Sequence, residues 1–148
     1  MKVSIIVPVY NEFRAFNQVL ERIRQAPLPA GCSKEIIVID DGSTDGAPQM
    51  LGEHVRAGIV AGHYAERNAG KGTALPIGIG ISSGDIVLIQ DGDLEYDPRD
   101  YVKLLEPIVA GEADVVYGSR FLGQAAGMAL RNRIANRIPG PTSSTARA

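Results

Sequence analysis

Ile86-Val87-Leu88-Ile89 runs without a break into Gln90-Asp91-Gly92-Asp93-Leu94-Glu95. The apolar, β-branched run reads as a buried strand, so the acids stand where that strand emerges into solvent. In open α/β sheets, ligands bind beyond the carboxyl ends of the strands. Side chains two apart in extended chain point the same way, so Asp91 and Asp93 can face one site. Carboxylates converging there favour a hard divalent cation held jointly with substrate phosphates. A lone Asp-x-Asp is common in solvated loops. Here it is reinforced by a second acidic strand exit, Val38-Ile39-Asp40-Asp41-Gly42-Ser43, and by a first strand ending in Pro8-Val9-Tyr10-Asn11-Glu12.

Outward from this stretch, short apolar runs alternate with amphipathic ones. Val3 to Val9 predicts a strand, and Phe13 to Gln25 a helix with Phe16, Val19, Leu20 and Ile23 on one face. Ile36 to Ile39 predicts a second strand, with Asp45 placed to cap a helix reaching about Arg56. A weaker third strand spans Ile59 to His63, and a helix interrupted by Pro76, Gly78 and Gly80 spans Gly70 to Ser82. Asp85 to Gln90 is the fourth strand, Pro98 to Val109 a helix with proline at its start, and Val115 to Tyr117 a fifth strand. Gly127 to Arg137 can form a last helix. The alternation implies βαβ units: a Rossmann-like, mostly parallel sheet flanked by helices.

At 148 residues and 45% hydrophobic content the chain suits one domain with a real core. Its single cysteine, Cys32, excludes an internal disulfide and fits a reducing compartment. No stretch has the length and apolarity of a membrane span, and no signal pattern opens the chain. The expected location is therefore cytoplasmic, or peripheral at the cytosolic membrane face. All 17 acids fall in residues 1–114, whereas residues 115–148 carry five arginines and no acid. That asymmetry fits either an anionic partner near the C-terminal end or a solvated basic helix. Nucleic acid is a poor partner, because aromatics are only 5% and the acidic part would repel a phosphate backbone.

Several common α/β readings fail on spacing. A dinucleotide-binding fingerprint needs glycines directly after the first strand, and the turn from Pro8 to Glu12 has none. Gly70-Lys71-Gly72 lacks the spacing of a P-loop. His54 and His63 have no ligand-type spacing, Cys32 lies beside neither, and no G-x-S-x-G elbow occurs.

Five motifs remain, in order: Val7-Pro8-Val9-Tyr10-Asn11-Glu12, Ile39-Asp40-Asp41-Gly42-Ser43-Thr44-Asp45, Asn68-Ala69-Gly70-Lys71-Gly72, Asp91-Gly92-Asp93-Leu94-Glu95 and Gly118-Ser119-Arg120-Phe121. Over residues 2–123 the chain resembles glycosyltransferase family 2, and within it the polyprenol (dolichol) phosphate mannose or glucose synthases. The resemblance implies the nucleotide-diphospho-sugar transferase (GT-A) fold. It also implies roles residue by residue. Pro8 and Tyr10 would line the base pocket, with Glu12 near the nucleoside. Asp40 would accept hydrogen bonds from base or ribose, while Asp41, in a continuing strand, would face the other way. Lys71 and Arg120 would neutralise phosphate. Asp93 would be the main ligand to Mg2+ or Mn2+, joined by Glu95 where many relatives carry glutamine, with Asp91 nearer the ribose or behind the metal.

The implied reaction is an inverting, single-displacement transfer of a hexose from a GDP- or UDP-sugar to a polyprenyl phosphate. The leaving nucleoside diphosphate gains charge that metal and arginine would stabilise. The acceptor is already ionised near neutral pH, so the missing base is no obstacle. Asp97, Asp100 and Glu106 read as acids of a helix start and surface. Relatives continue well past Gly118-Ser119-Arg120-Phe121. Here residues 1–123 are expected to form the nucleotide-sugar domain, 124–137 the start of an incomplete acceptor-side region, and 138–148 a disordered tail. A binding-only remnant without turnover is the alternative. Lost pairing partners would leave an edge or apolar patch open to self-association.

Overall fold

Strand and helix alternate as the periodicity predicts. The computed structural model describes residues 1–93 and 95–118. Its elements are β1 (Lys2–Val9), α1 (Phe13–Gln25), β2 (Ser33–Asp40), α2 (Ala47–Arg56), β3 (Ala61–Tyr64), α3 (Lys71–Ile81), β4 (Ile86–Ile89), a 3-10 turn (Pro98–Asp100) and α4 (Tyr101–Val109). The four strands form one parallel sheet in the order β3-β2-β1-β4. The chain builds outward from β1 to β3, then returns to β1's other side for β4. The carboxyl ends of β1 and β4 therefore flank a topological switch point, where α/β sheets open a crevice.

Alternating strand residues feed two unequal layers. Val3, Ile5, Val7, Val9, Ile36, Val38, Ile86 and Leu88 pack with the apolar stripes of α1, α2 and α4. On the other face Ile6, Ile37 and Ile39 meet Ala74 of α3, with Leu75 and Ile77 of the same helix packed against them. Despite Pro76, α3 lies close on the sheet because Gly78 lets it: a Cβ there would sit 2.5 Å from Ile6 Cγ2. The cover ends at β4, where Val87 and Ile89 stay largely exposed, as do Ile79 and Ile81 of α3. Among the described residues no helix is long and apolar enough to cross a membrane.

Several expectations differ from the structure, and β3 is one, spanning Ala61–Tyr64 rather than Ile59 to His63. β2 begins at Ser33 rather than Ile36, because its polar start is fully bonded. Lys34 Nζ donates to the carbonyls of Ile23, Arg24 and Ala26 at 2.6–3.0 Å and so closes the C-terminus of α1. The fifth strand expected at Val115 to Tyr117 does not form. Among the described residues no strand pairs with the outer edge of β4, and Val115 is 63% exposed. Three residues with no ladder partner cannot hold a strand. Arg120, the helix expected at 127–137 and the tail at 138–148 lie outside the described residues.

Candidate functional site

A cleft of about 270 Å³ opens at the switch point. Pro8, Val9, Tyr10 and Glu12 line it from the exit of β1, and Asp91, Gly92 and Asp93 from the exit of β4. Asp41 after β2 and Lys71 at the start of α3 complete it. Eight of the nine residues expected at the site lie among the described residues, and six of them line the cleft: Pro8, Tyr10, Glu12, Lys71, Asp91 and Asp93. Asp40 closes β2 and is only 3% exposed. Its Oδ2 accepts from the Ser43 N–H at 3.3 Å, and among the described residues Oδ1 is buried without a hydrogen-bond partner. Glu95 is exposed outside the lining, and its backbone N–H donates to Asp93 Oδ1 at 3.0 Å. Arg120 lies outside the described residues.

The loops forming the walls are tied to one another. Asn11 adopts φ 55°, a left-handed conformation that asparagine tolerates. From it the Asn11 N–H donates to Ser43 Oγ at 2.9 Å, and Asn11 Oδ1 accepts from the Thr44 N–H at 2.8 Å. Asp45 holds two helix starts at once, accepting from the Phe13 N–H and the Ala47 N–H at 2.9 Å each. Asp45 is not the cap residue expected, since Gly46 holds that position, but from one residue earlier it still bonds the first N–H of α2.

Asp41 faces the cleft because β2 stops at Asp40, so strand alternation no longer governs the next residue. Its carboxylate accepts from the N–H groups of Ala69 and Gly70 at 3.0 and 2.7 Å, fixing the entry to α3. Sequence spacing does not reveal that link, which joins residues 28 and 29 positions apart. Lys71 then reaches across the cleft to form an ion pair with Asp91 Oδ1.

Charge in the cleft is unbalanced. Among the described residues its lining holds four acids, Glu12, Asp41, Asp91 and Asp93, and one cation, Lys71. Burial first, then the nearby Asp93 and Asp45 carboxylates, raises the pKa of Glu12 above the usual glutamate value. Among the described residues no three acids, histidines or cysteines are gathered into a complete metal cage. The cleft offers instead a pair of hard oxygen donors, which suits a cation that takes its other ligands from phosphate and water. A larger groove of about 550 Å³, lined in part by Arg22, Asp97 and Arg99, has no comparable surplus. There Asp97 is already bound by the Arg99 guanidinium at 2.5–3.1 Å.

Comparison with known proteins agrees with this geometry. The family model described as Glycosyl transferase family 2 matches residues 4–144. The undecaprenyl-phosphate 4-deoxy-4-formamido-L-arabinose transferase of Klebsiella pneumoniae is 36% identical over 107 residues, covering 71% of this chain and 33% of that protein. Among solved structures, mannosyltransferase PcManGT from Pyrobaculum calidifontis, in complex with GDP-Man and Mn2+, superposes with a TM-score of 0.55 at 31% identity. That match covers 66% of this chain and 29% of PcManGT. Glucosyl-3-phosphoglycerate synthase from Mycobacterium tuberculosis, in complex with Mn2+, UDP and phosphoglyceric acid, gives 0.59 at 30% identity, covering 75% and 40%. The chain thus spans about a third of the length of the curated relative it matches. Its sheet, its switch-point cleft and these matches agree: the chain belongs to glycosyl transferase family 2 and has the GT-A type of fold.

Proposed function

We propose that the cleft binds the nucleoside diphosphate of a sugar donor together with Mg2+ or Mn2+. In the whole enzyme, the sugar passes to a polyprenyl phosphate at a membrane surface. The observation that carries this reading is the convergence of Asp91, Asp93 and Lys71 beside the Pro8–Tyr10 exit of β1. Asp93, with Asp91 and Glu95 near it in sequence, would hold the cation. When bound, the cation supplies charge that stabilises the diphosphate as the sugar leaves. Lys71 would move from Asp91 to phosphate, and Tyr10, 46% exposed at the cleft, offers a ring face to the base. Asp40, with one carboxylate oxygen unpartnered among the described residues, is proposed as an acceptor for the base or ribose. Arg120 is proposed as a second phosphate contact.

The motifs favour a hexose, mannose or glucose. The Klebsiella relative's name carries a formamido-arabinose, so both sugar types belong in one assay. The test is transfer from a panel of GDP- and UDP-sugars to polyprenyl phosphate in detergent with Mn2+, with the lipid product read by mass spectrometry. Product that disappears in Asp93→Ala supports the reading, and absence of product from every metal-saturated donor argues against transfer by this chain. A second reading is donor binding without turnover, favoured by a cleft whose described lining reads throughout as groups for the nucleotide, diphosphate and cation. Nucleotide binding without lipid product distinguishes it. The uncovered Ile79, Ile81, Val87 and Ile89 support self-association as well.

A further inference from the structure

The Asp91-Gly92-Asp93 turn is held from behind by buried groups that do not line the cleft. Tyr101 opens α4 and is 2% exposed; Gln90, directly after β4, is 3% exposed. The Tyr101 hydroxyl donates to Gln90 Oε1 at 2.8 Å. Gln90 Nε2 donates in turn to the Asp91 carbonyl at 3.1 Å, and the Gln90 backbone N–H donates to Ile6 O at 3.0 Å. The direction of this chain is forced. A carbonyl only accepts, so the amide presents Nε2 to Asp91 and leaves Oε1 for a hydroxyl that must donate. Burial pushes the Tyr101 pKa upward, so the hydroxyl keeps its proton. From the opposite side, Gly92 presses on the end of β1: a Cβ there would lie 2.9 Å from Pro8 O and 3.3 Å from Val9 Cγ2.

We propose that Tyr101 and Gln90 are positioning residues, whose hydrogen-bond chain sets the Asp91 peptide and so aims Asp91 and Asp93 at the cation and diphosphate. The proposal rests on the reading of the cleft as a donor site. A purely structural role would satisfy the buried Tyr101 hydroxyl with Gln90 and would leave the Asp91 turn indifferent to the pair. Groups behind a metal's direct ligands commonly tune affinity by fixing those ligands.

Two variants separate these roles. Tyr101→Phe leaves Gln90 Oε1 buried and unpaired, which costs stability. Combining Tyr101→Phe with Gln90→Leu removes both polar partners, which restores most of the stability but leaves the Asp91 carbonyl without its donor. The double variant is expected to melt near the wild-type temperature and to bind GDP or UDP with Mn2+ roughly tenfold more weakly. Its affinity without metal should be unchanged, and its amide exchange should rise in residues 91–95 alone. Wild-type metal-dependent affinity and wild-type exchange in a folded double variant would overturn the proposal. If the double variant does not fold, Tyr101→Phe is read by exchange: a rise confined to residues 91–95 supports positioning, and a rise spread through the sheet overturns it. A wild-type protein that binds neither nucleotide refutes the donor-site reading instead, and the exchange pattern then decides the positioning of the turn.

Discussion

The two ends of the sheet treat a carboxylate in opposite ways. At the amino end, Glu35 accepts from Lys2 Nζ and Ser4 Oγ at 2.5 Å each, and from the Ser83 N–H and Oγ at 2.7 and 2.8 Å. Burial alone would raise its pKa, but these bonds outweigh burial and hold it down at about 2. At the carboxyl end, four acids and Lys71 line one cleft, the pKa of Glu12 is raised, and Asp40 Oδ1 is buried without a partner among the described residues. One end gathers its donors on a single acid; the other, among the described residues, holds more acids than cations. Sites that keep unsatisfied charge are where a ligand supplies the missing partner.

The contrast can be broken most severely at Asp93. Asp93→Ala should eliminate metal-dependent nucleotide binding while leaving the melting temperature within a few degrees. Calorimetry and circular dichroism on the same sample check both parts, and a variant that binds as tightly as wild type would remove Asp93 from the site.

Glu35→Gln attacks the other end, and the effect should appear in stability rather than binding. Because the folded pKa of Glu35 lies below its ordinary 4.5, its contribution is present above that value and lost as pH falls toward about 2. The variant should lose about 2 kcal/mol at neutral pH, the scale of a charge-assisted hydrogen bond, at a carboxylate that is 23% exposed. It should also show a flatter acid limb between those two values. Urea melts at a series of pH values test this, and a wild-type acid limb in the variant would contradict it.

The smallest expected effect sharpens the comparison by reversing its sign. Glu12 has a raised folded pKa, so it stabilises the fold below its ordinary pKa and loses that contribution as pH rises through the folded value. Glu12→Gln should therefore stabilise the protein at neutral pH, by about 0.5 kcal/mol at this partly solvated position. The gain should shrink in high salt. Equal stability of variant and wild type at low salt would show that the crowding at this end carries no cost.

How much of this was readable beforehand depended on whether the cause was local. The α1 boundaries and its buried face follow from periodicity, and Phe16, Val19, Leu20 and Ile23 are all buried. The cleft was legible as strand exits, because switch-point geometry gathers them whatever lies between. The polar start of β2 was not, since its stability comes from Ser4, Ser83 and the end of α1, none of them neighbours in sequence. Asp41 faces the cleft because β2 ends at Asp40, and alternation turns it away only in a strand that continues. Nothing in the sequence joins Tyr101 to Gln90, since a helix's first residue can equally well face solvent. The expected strand at Val115 to Tyr117 has the right composition but pairs with no strand among the described residues.

The central claim is that the excess acid at the carboxyl end is a cation and diphosphate site. Calorimetric titration of the folded chain with GDP and UDP, each with and without Mn2+, tests it most directly. The account predicts saturable binding of one nucleotide that depends on the metal and disappears in Asp93→Ala. A cooperatively folded chain that binds neither nucleotide, with or without metal, would contradict it.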